Sequence, residues 1–111
     1  MQLEEKVTLI TGAGRGIGRA IALAFASEGS HVALAARSRE EIERVTDEAM
    51  ALGVNALPLV CDVTDHDAIA RTVAATQETF GQVDILVNNA GEARFSPIHQ
   101  ITLEEWLRAF D

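Results

Sequence analysis

Lys6-Val7-Thr8-Leu9-Ile10-Thr11 runs directly into Thr11-Gly12-Ala13-Gly14-Arg15-Gly16-Ile17-Gly18, and the junction of these two stretches decides the fold. The first is a short run rich in β-branched residues, which reads as a strand feeding a turn. The glycines are followed by an apolar stripe at helical spacing, Ile17, Ile21, Ala24 and Phe25, with Gly29 placed to close the helix in a left-handed cap. A strand, a glycine turn and a helix in that order form a βα unit. In that setting, glycines let backbone N–H groups approach a pyrophosphate at a helix N-terminus. The spacing here is G-x-x-x-G-x-G, and the common G-x-G-x-x-G pattern is not matched.

Outward from this junction the alternation continues. His31–Ala36 is a nearly continuous apolar run, as expected of a strand covered on both faces of a parallel sheet. Ser38-Arg39-Glu40-Glu41 fits a capping box opening a helix whose inner face is Ile42, Val45, Ala49 and Leu52, with Gly53 as its stop. Asn55–Cys61 reads as a third strand, and Pro58, which cannot donate to a ladder, places it at a sheet edge. Thr64-Asp65-His66-Asp67 repeats the capping pattern before a third helix lined by Ile69, Val73, Thr76 and Phe80 and ended by Gly81. Val83–Asn88 is a fourth strand. An irregular stretch follows to Ile101, and Thr102-Leu103-Glu104-Glu105 opens a last helix.

The expected fold is therefore α/β: a Rossmann-like, doubly wound parallel sheet of order 3-2-1-4, with right-handed crossovers and a ligand-binding switch point between strands one and four. In this order the fourth strand keeps a hydrophobic flank with no neighbour. The sheet then lacks later strands, or a partner supplies them, and self-association through Val83–Asn88 is expected.

Composition narrows the function. The 111 residues make one folding unit or part of one, and 48% hydrophobic with 23% charged residues is a globular balance. Nine Lys and Arg against 17 Asp and Glu give a net charge of -8, with a pI near 4.7, which disfavours nucleic acid and anionic lipid as partners. No apolar run approaches the roughly 20 residues that span a bilayer, and the acidic start is unlike a signal peptide, so a cytoplasmic location is expected. The single cysteine, Cys61, excludes an internal disulfide and reads as a small buried hydrophobe. No metal site is expected: Asp65, His66 and Asp67 do not share a helix face and are better explained as helix-start residues.

With three motifs in order, the sequence resembles the short-chain dehydrogenase/reductase family. Thr11-Gly12 through Gly18 matches its T-G-x-x-x-G-x-G signature, Asp62-Val63 its D-V after the third strand, and Asn88-Asn89-Ala90-Gly91 its N-N-A-G. The resemblance covers residues 1–111, which correspond to the N-terminal, dinucleotide-binding part of a family domain of about 250 residues. It implies that Gly12, Gly16, Ile17 and Gly18 hold the pyrophosphate, that Asp62 and the Val63 backbone contact the adenine, and that Asn89, Ala90 and Gly91 line the ribose and the approach to the nicotinamide. Asn88 is expected to brace strand and loop.

The cofactor implied is NADP(H) in preference to NAD(H). About 20 residues past the glycines, where a carboxylate would hold the ribose 2'-hydroxyl, the chain reads Ala35-Ala36-Arg37-Ser38-Arg39. Arg37 falls where the resemblance places a phosphate-binding arginine, Arg15 matches a second basic position, and Ser38 can add a hydrogen bond. Between Lys6 and Arg39 the one acidic residue is Glu28, which makes a locally positive stretch in an acidic chain. Arg19 and Arg39 are expected on solvated helix faces.

By resemblance, the activity implied is that of an NADP-dependent carbonyl reductase or alcohol dehydrogenase, similar to the 3-oxoacyl-carrier-protein reductases and acting on a small carbonyl or alcohol. The family's proton donor is a tyrosine, helped by a lysine four residues later. These 111 residues contain no tyrosine, and Lys6 lies outside any such motif, so no residue here is assigned to catalysis. The alternative is a stand-alone nucleotide-binding or assembly module without redox turnover.

Overall fold

The computed structural model describes residues 3–62 and 65–89, and the backbone of 94–97. The elements follow in the order β1 (Val7–Thr11), α1 (Gly16–Ser27), β2 (His31–Ala36), α2 (Arg39–Met50), β3 (Ala56–Val60), α3 (His66–Phe80), β4 (Ile85–Asn88) and β5 (Arg94–Pro97). β1, β2, β3 and β4 are parallel in the order β3-β2-β1-β4, the doubly wound arrangement that the alternation of strand and helix implies.

Side-chain alternation along the strands sorts the core into two layers. Leu9 of β1 and Ala33 and Ala35 of β2 face α3, where Ile69 and Val73 close over them. Ile10 of β1 and Val32 and Leu34 of β2 face the other way, onto Ala22 and Ala26 of α1 and Val45 and Ala49 of α2. Fully burying a side chain such as Leu9, Ile10 or Leu34 contributes about 1.5–3 kcal/mol each. Cys61, also buried, belongs to the α3 layer.

The helix ends carry much of the local logic. Ser38 Oγ accepts from the Glu41 N–H at 3.3 Å, which is half of the expected capping box. At the start of α3 the cap is Asp65, whose Oδ1 accepts from the N–H groups of Asp67 and Ala68; Thr64, which begins the expected pattern, lies outside the described residues. A carboxylate one residue later satisfies the same orphan donors and also complements the helix dipole.

Four expectations are corrected. The largest concerns β4, whose hydrophobic flank is covered: β5, in a stretch expected to be irregular, pairs antiparallel with it in the register Ile85↔Pro97 to Asn88↔Arg94. Five residues separate the two strands, a hairpin-length connection, and Pro97 falls at the end of the short edge strand, where its missing N–H is tolerated. The open edge that was the reason to expect association through Val83–Asn88 is thus closed by the chain itself.

The other three concern helix faces and strand limits. In α1 the expected Ile21 and Phe25 do pack against the core, but the fully buried positions are Gly18, Ala22 and Ala26, while Ala24 is exposed and Ile17 69% exposed; at Gly18 the Gly12 carbonyl leaves no room for a side chain. Leu52 is exposed, since α2 ends at Met50 and the chain then turns through Gly53 at φ 97°. β4 begins at Ile85, because Val83 leaves the ladder to pack in the α3 layer while Asp84 accepts the Val7 N–H through its side chain at 2.9 Å.

Candidate functional site

Parallel register brings the ends of four strands to one edge of the sheet. Thr11 lies opposite Ala35, Ala36 opposite Val60, and Ile10 opposite Val87. The residues that follow these positions therefore share that edge: Gly12–Gly18 after β1, Arg37 and Ser38 after β2, Asp62 after β3 and Asn89 after β4. His31 starts its strand at the opposite end, where its Nδ1 accepts the Asn55 N–H at 3.1 Å and its ring stacks on Phe80.

The glycine turn is held from both sides. The Ala13 N–H donates to the Ala35 carbonyl at 3.3 Å, tying the turn to β2. Toward β4, the Asn89 N–H donates to Thr11 Oγ1 at 3.0 Å and Asn89 Nδ2 donates to the Gly12 carbonyl at 3.3 Å. The Thr11 hydroxyl in turn donates to Asn88 Oδ1 at 3.2 Å, so Asn88 braces strand and loop as its position implies. Asn89, expected only as a lining residue, also pins the turn.

Two glycines meet separate demands. Gly18 has no room for a side chain: a Cβ there would stand 1.9 Å from the Gly12 carbonyl oxygen. Gly16 is required by its φ of 59° and has nothing within 4 Å of where a Cβ would be, so open space lies above the turn.

Next to that space, the start of α1 differs from the other two helix starts. Its N-cap, Arg15, makes no side-chain cap hydrogen bond, and its first turn holds no acidic residue. α2 and α3 have Ser38 and Asp65 as caps, with Glu40, Glu41 and Asp67 in their first turns. The leading N–H groups of α1 thus have no side-chain cap, and no carboxylate in its first turn offsets the positive dipole end, an arrangement able to take an anion. Arg15, Ile17 and Arg37 are exposed around this position, and neither arginine has an ion pair among the described residues.

The remaining charges on these helices are largely spoken for. Arg19 is exposed, as expected, and also bridges α1 to α2 through a bidentate pair with Glu48. Hydrogen bonding to Arg19 holds the Glu48 carboxyl below its ordinary range, and the same bond raises Arg19. Arg39 and Arg44 pair along α2 with Glu43 and Glu40. Asp62 is exposed at the end of β3, and Val63, Ala90 and Gly91 lie outside the described residues. Among the described residues no group of three or more His, Cys, Asp or Glu is placed to hold a metal, and no helix is long and apolar enough to cross a membrane.

A doubly wound sheet with a glycine turn and an uncapped helix at its switch point defines the nucleotide-binding α/β proteins. Residues 6–111 match the short chain dehydrogenase family throughout, and the chain belongs to that family. It is 48% identical over 111 residues to galactitol 2-dehydrogenase of Agrobacterium fabrum, covering 100% of this chain and 42% of that protein. It is 42% identical over 106 residues to a 3-oxoacyl-[acyl-carrier-protein] reductase of Thermotoga maritima, covering 96% and 43%. Among solved structures, NAD+-bound xylitol dehydrogenase superposes with a TM-score of 0.80 at 38% identity, covering 97% of this chain and 42% of that one. The chain thus spans about two fifths of the length of these relatives.

Proposed function

We propose that these residues form the dinucleotide-binding part of an NADP(H)-dependent short-chain oxidoreductase that interconverts a small carbonyl and alcohol. The observation that carries this reading is the uncapped, acid-free start of α1, set against the Gly16 opening, with two exposed arginines, Arg15 and Arg37, that have no ion pair among the described residues. A nicotinamide dinucleotide supplies hydride transfer when bound. The chain's own share is to hold it. The N–H groups at the start of α1 receive the pyrophosphate, Gly12 and Gly18 let helix and turn approach closely, and Ile17 offers an apolar cover.

At the adenosine end, Arg37 and Arg15 attract a 2'-phosphate, and the Ser38 hydroxyl keeps its proton to donate while its oxygen caps α2. Asp62 and Val63 take the adenine, and Asn89, Ala90 and Gly91 the ribose and nicotinamide side. No tyrosine occurs in these 111 residues, so proton transfer to the substrate is not assigned to any of them. The kinship with a 3-oxoacyl-carrier-protein reductase supports a carbonyl as substrate.

Calorimetric titration of the protein carrying these residues with NADPH and NADH tests the reading. NADPH-selective binding is expected. Arg37→Ala should weaken NADPH by about 10- to 100-fold, the range for one charge-assisted hydrogen-bonding group, and leave NADH nearly unchanged. An unaltered NADPH-to-NADH ratio would sink the assignment of Arg37.

A further inference from the structure

Gly14 is not explained by turn geometry. Unlike Gly12 and Gly16 it has no left-handed φ; what excludes a side chain there is Glu41, whose Cβ would lie 2.9 Å and Oε1 3.3 Å from an added Cβ. Glu41 is thus a half-buried residue of the first turn of α2 laid against the glycine turn. Its backbone N–H is meanwhile bonded to Ser38 Oγ. One residue thus rests its side chain on Gly14, which directly precedes Arg15, and bonds its backbone N–H to the hydroxyl that directly follows Arg37, which sets a carboxylate against the turn that carries Arg15. Its neighbours Glu40, Glu43 and Glu48 are each paired with an arginine, whereas Glu41 has no such partner among the described residues. Its carboxylate thus brings a negative charge, unpaired among the described residues, to the side of the glycine turn.

We propose that Glu41 is a specificity-determining residue that opposes the pull of Arg15 and Arg37 on a 2'-phosphate, narrowing the preference for NADP(H) so that the site also accepts NAD(H). The proposal rests on the glycine turn being a dinucleotide site. Two like charges several ångströms apart at a partly solvated site repel by an amount corresponding to about a three- to tenfold change in affinity. A carboxylate also accepts from a ribose hydroxyl, which repulsion does not affect.

The test is Glu41→Gln, which keeps the shape and the backbone cap, with NADPH and NADH titrated calorimetrically into the protein carrying these residues. NADPH should bind about three- to tenfold more tightly, NADH should change less than twofold, and the NADPH gain should shrink in about 1 M salt, where the Debye length falls to about 3 Å. Glu40→Gln removes an equal charge from a side chain that is 86% exposed one residue earlier, and should leave the ratio as it was. Parallel shifts for the two dinucleotides, no gain for NADPH, or an equal effect from Glu40→Gln would overturn the proposal. Should the unaltered protein bind neither dinucleotide, the nucleotide-site reading falls with it. NADPH selectivity that depends on Arg37 but ignores Glu41→Gln overturns the role of Glu41 alone.

Discussion

Replacing Gly18 by alanine sets helix propensity against close packing, and the two forecast opposite signs. In a helix interior, alanine is favoured over glycine by about 1 kcal/mol. In this fold the added Cβ would stand 1.9 Å from the Gly12 carbonyl oxygen and 2.7 Å from both Gly12 C and Asn89 Nδ2. Two of these three atoms are backbone, so no rotamer change relieves the contact. The first turn of α1 must back away by about 1 Å, which strains the Asn89–Gly12 hydrogen bond and lifts Ala22 and Ala26 from the core layer. Overpacking of this kind costs about 1–3 kcal/mol, and the weakened hydrogen bond about 1 more. Set against the gain in propensity, the net loss is about 1–3 kcal/mol, which in a domain of this size lowers Tm by roughly 4–20 °C. Gly16→Ala is the internal comparison: it meets nothing within 4 Å and suffers only from a φ of 59°, worth about 1–2 kcal/mol. Urea unfolding followed by circular dichroism would order the variants, with Gly18→Ala less stable than Gly16→Ala. A Gly18→Ala protein as stable as the parent, or more so, would refute the packing argument.

Two further outcomes are expected. Thr11→Val removes a buried hydroxyl that both accepts from Asn89 N and donates to Asn88 Oδ1, so stability should fall by about 1–3 kcal/mol in denaturant titration and dinucleotide affinity should fall with it. Glu48 titrates below the ordinary glutamate value of 4.5 because Arg19 hydrogen-bonds its charged form. The folded state therefore binds fewer protons there, and the pair's contribution is present above that value and lost as pH falls through the depressed one. Carboxyl NMR should show Glu48 titrating lower in the parent than in Arg19→Gln, by a margin that narrows with salt because Arg19 is exposed and Glu48 partly so.

Much of the site was legible because it is local. Arg37 and Ser38 follow β2 directly, the glycine turn joins two adjacent elements, and each strand end shares one edge by virtue of the parallel sheet. The small-residue face of α1 was not legible, since Ile17, Ile21, Ala24 and Phe25 make a more hydrophobic stripe than Gly18, Ala22 and Ala26. Periodicity ranks faces by greasiness and so finds Ile21 and Phe25, which do flank the core, whereas at Gly18 the nearby Gly12 carbonyl selects by size.

The residues alone determine the alternation of strand and helix, the edge position of the Pro58 strand, and the glycine turn between β1 and α1, because periodicity, proline chemistry and turn residues act within a few positions. Tertiary structure alone decides that β5 shields β4, that Asn89 pins Gly12, and that Glu41 rests on Gly14. These last two pairs lie 77 and 27 positions apart in the chain, and only the crossovers of a right-handed βα sheet bring such residues together.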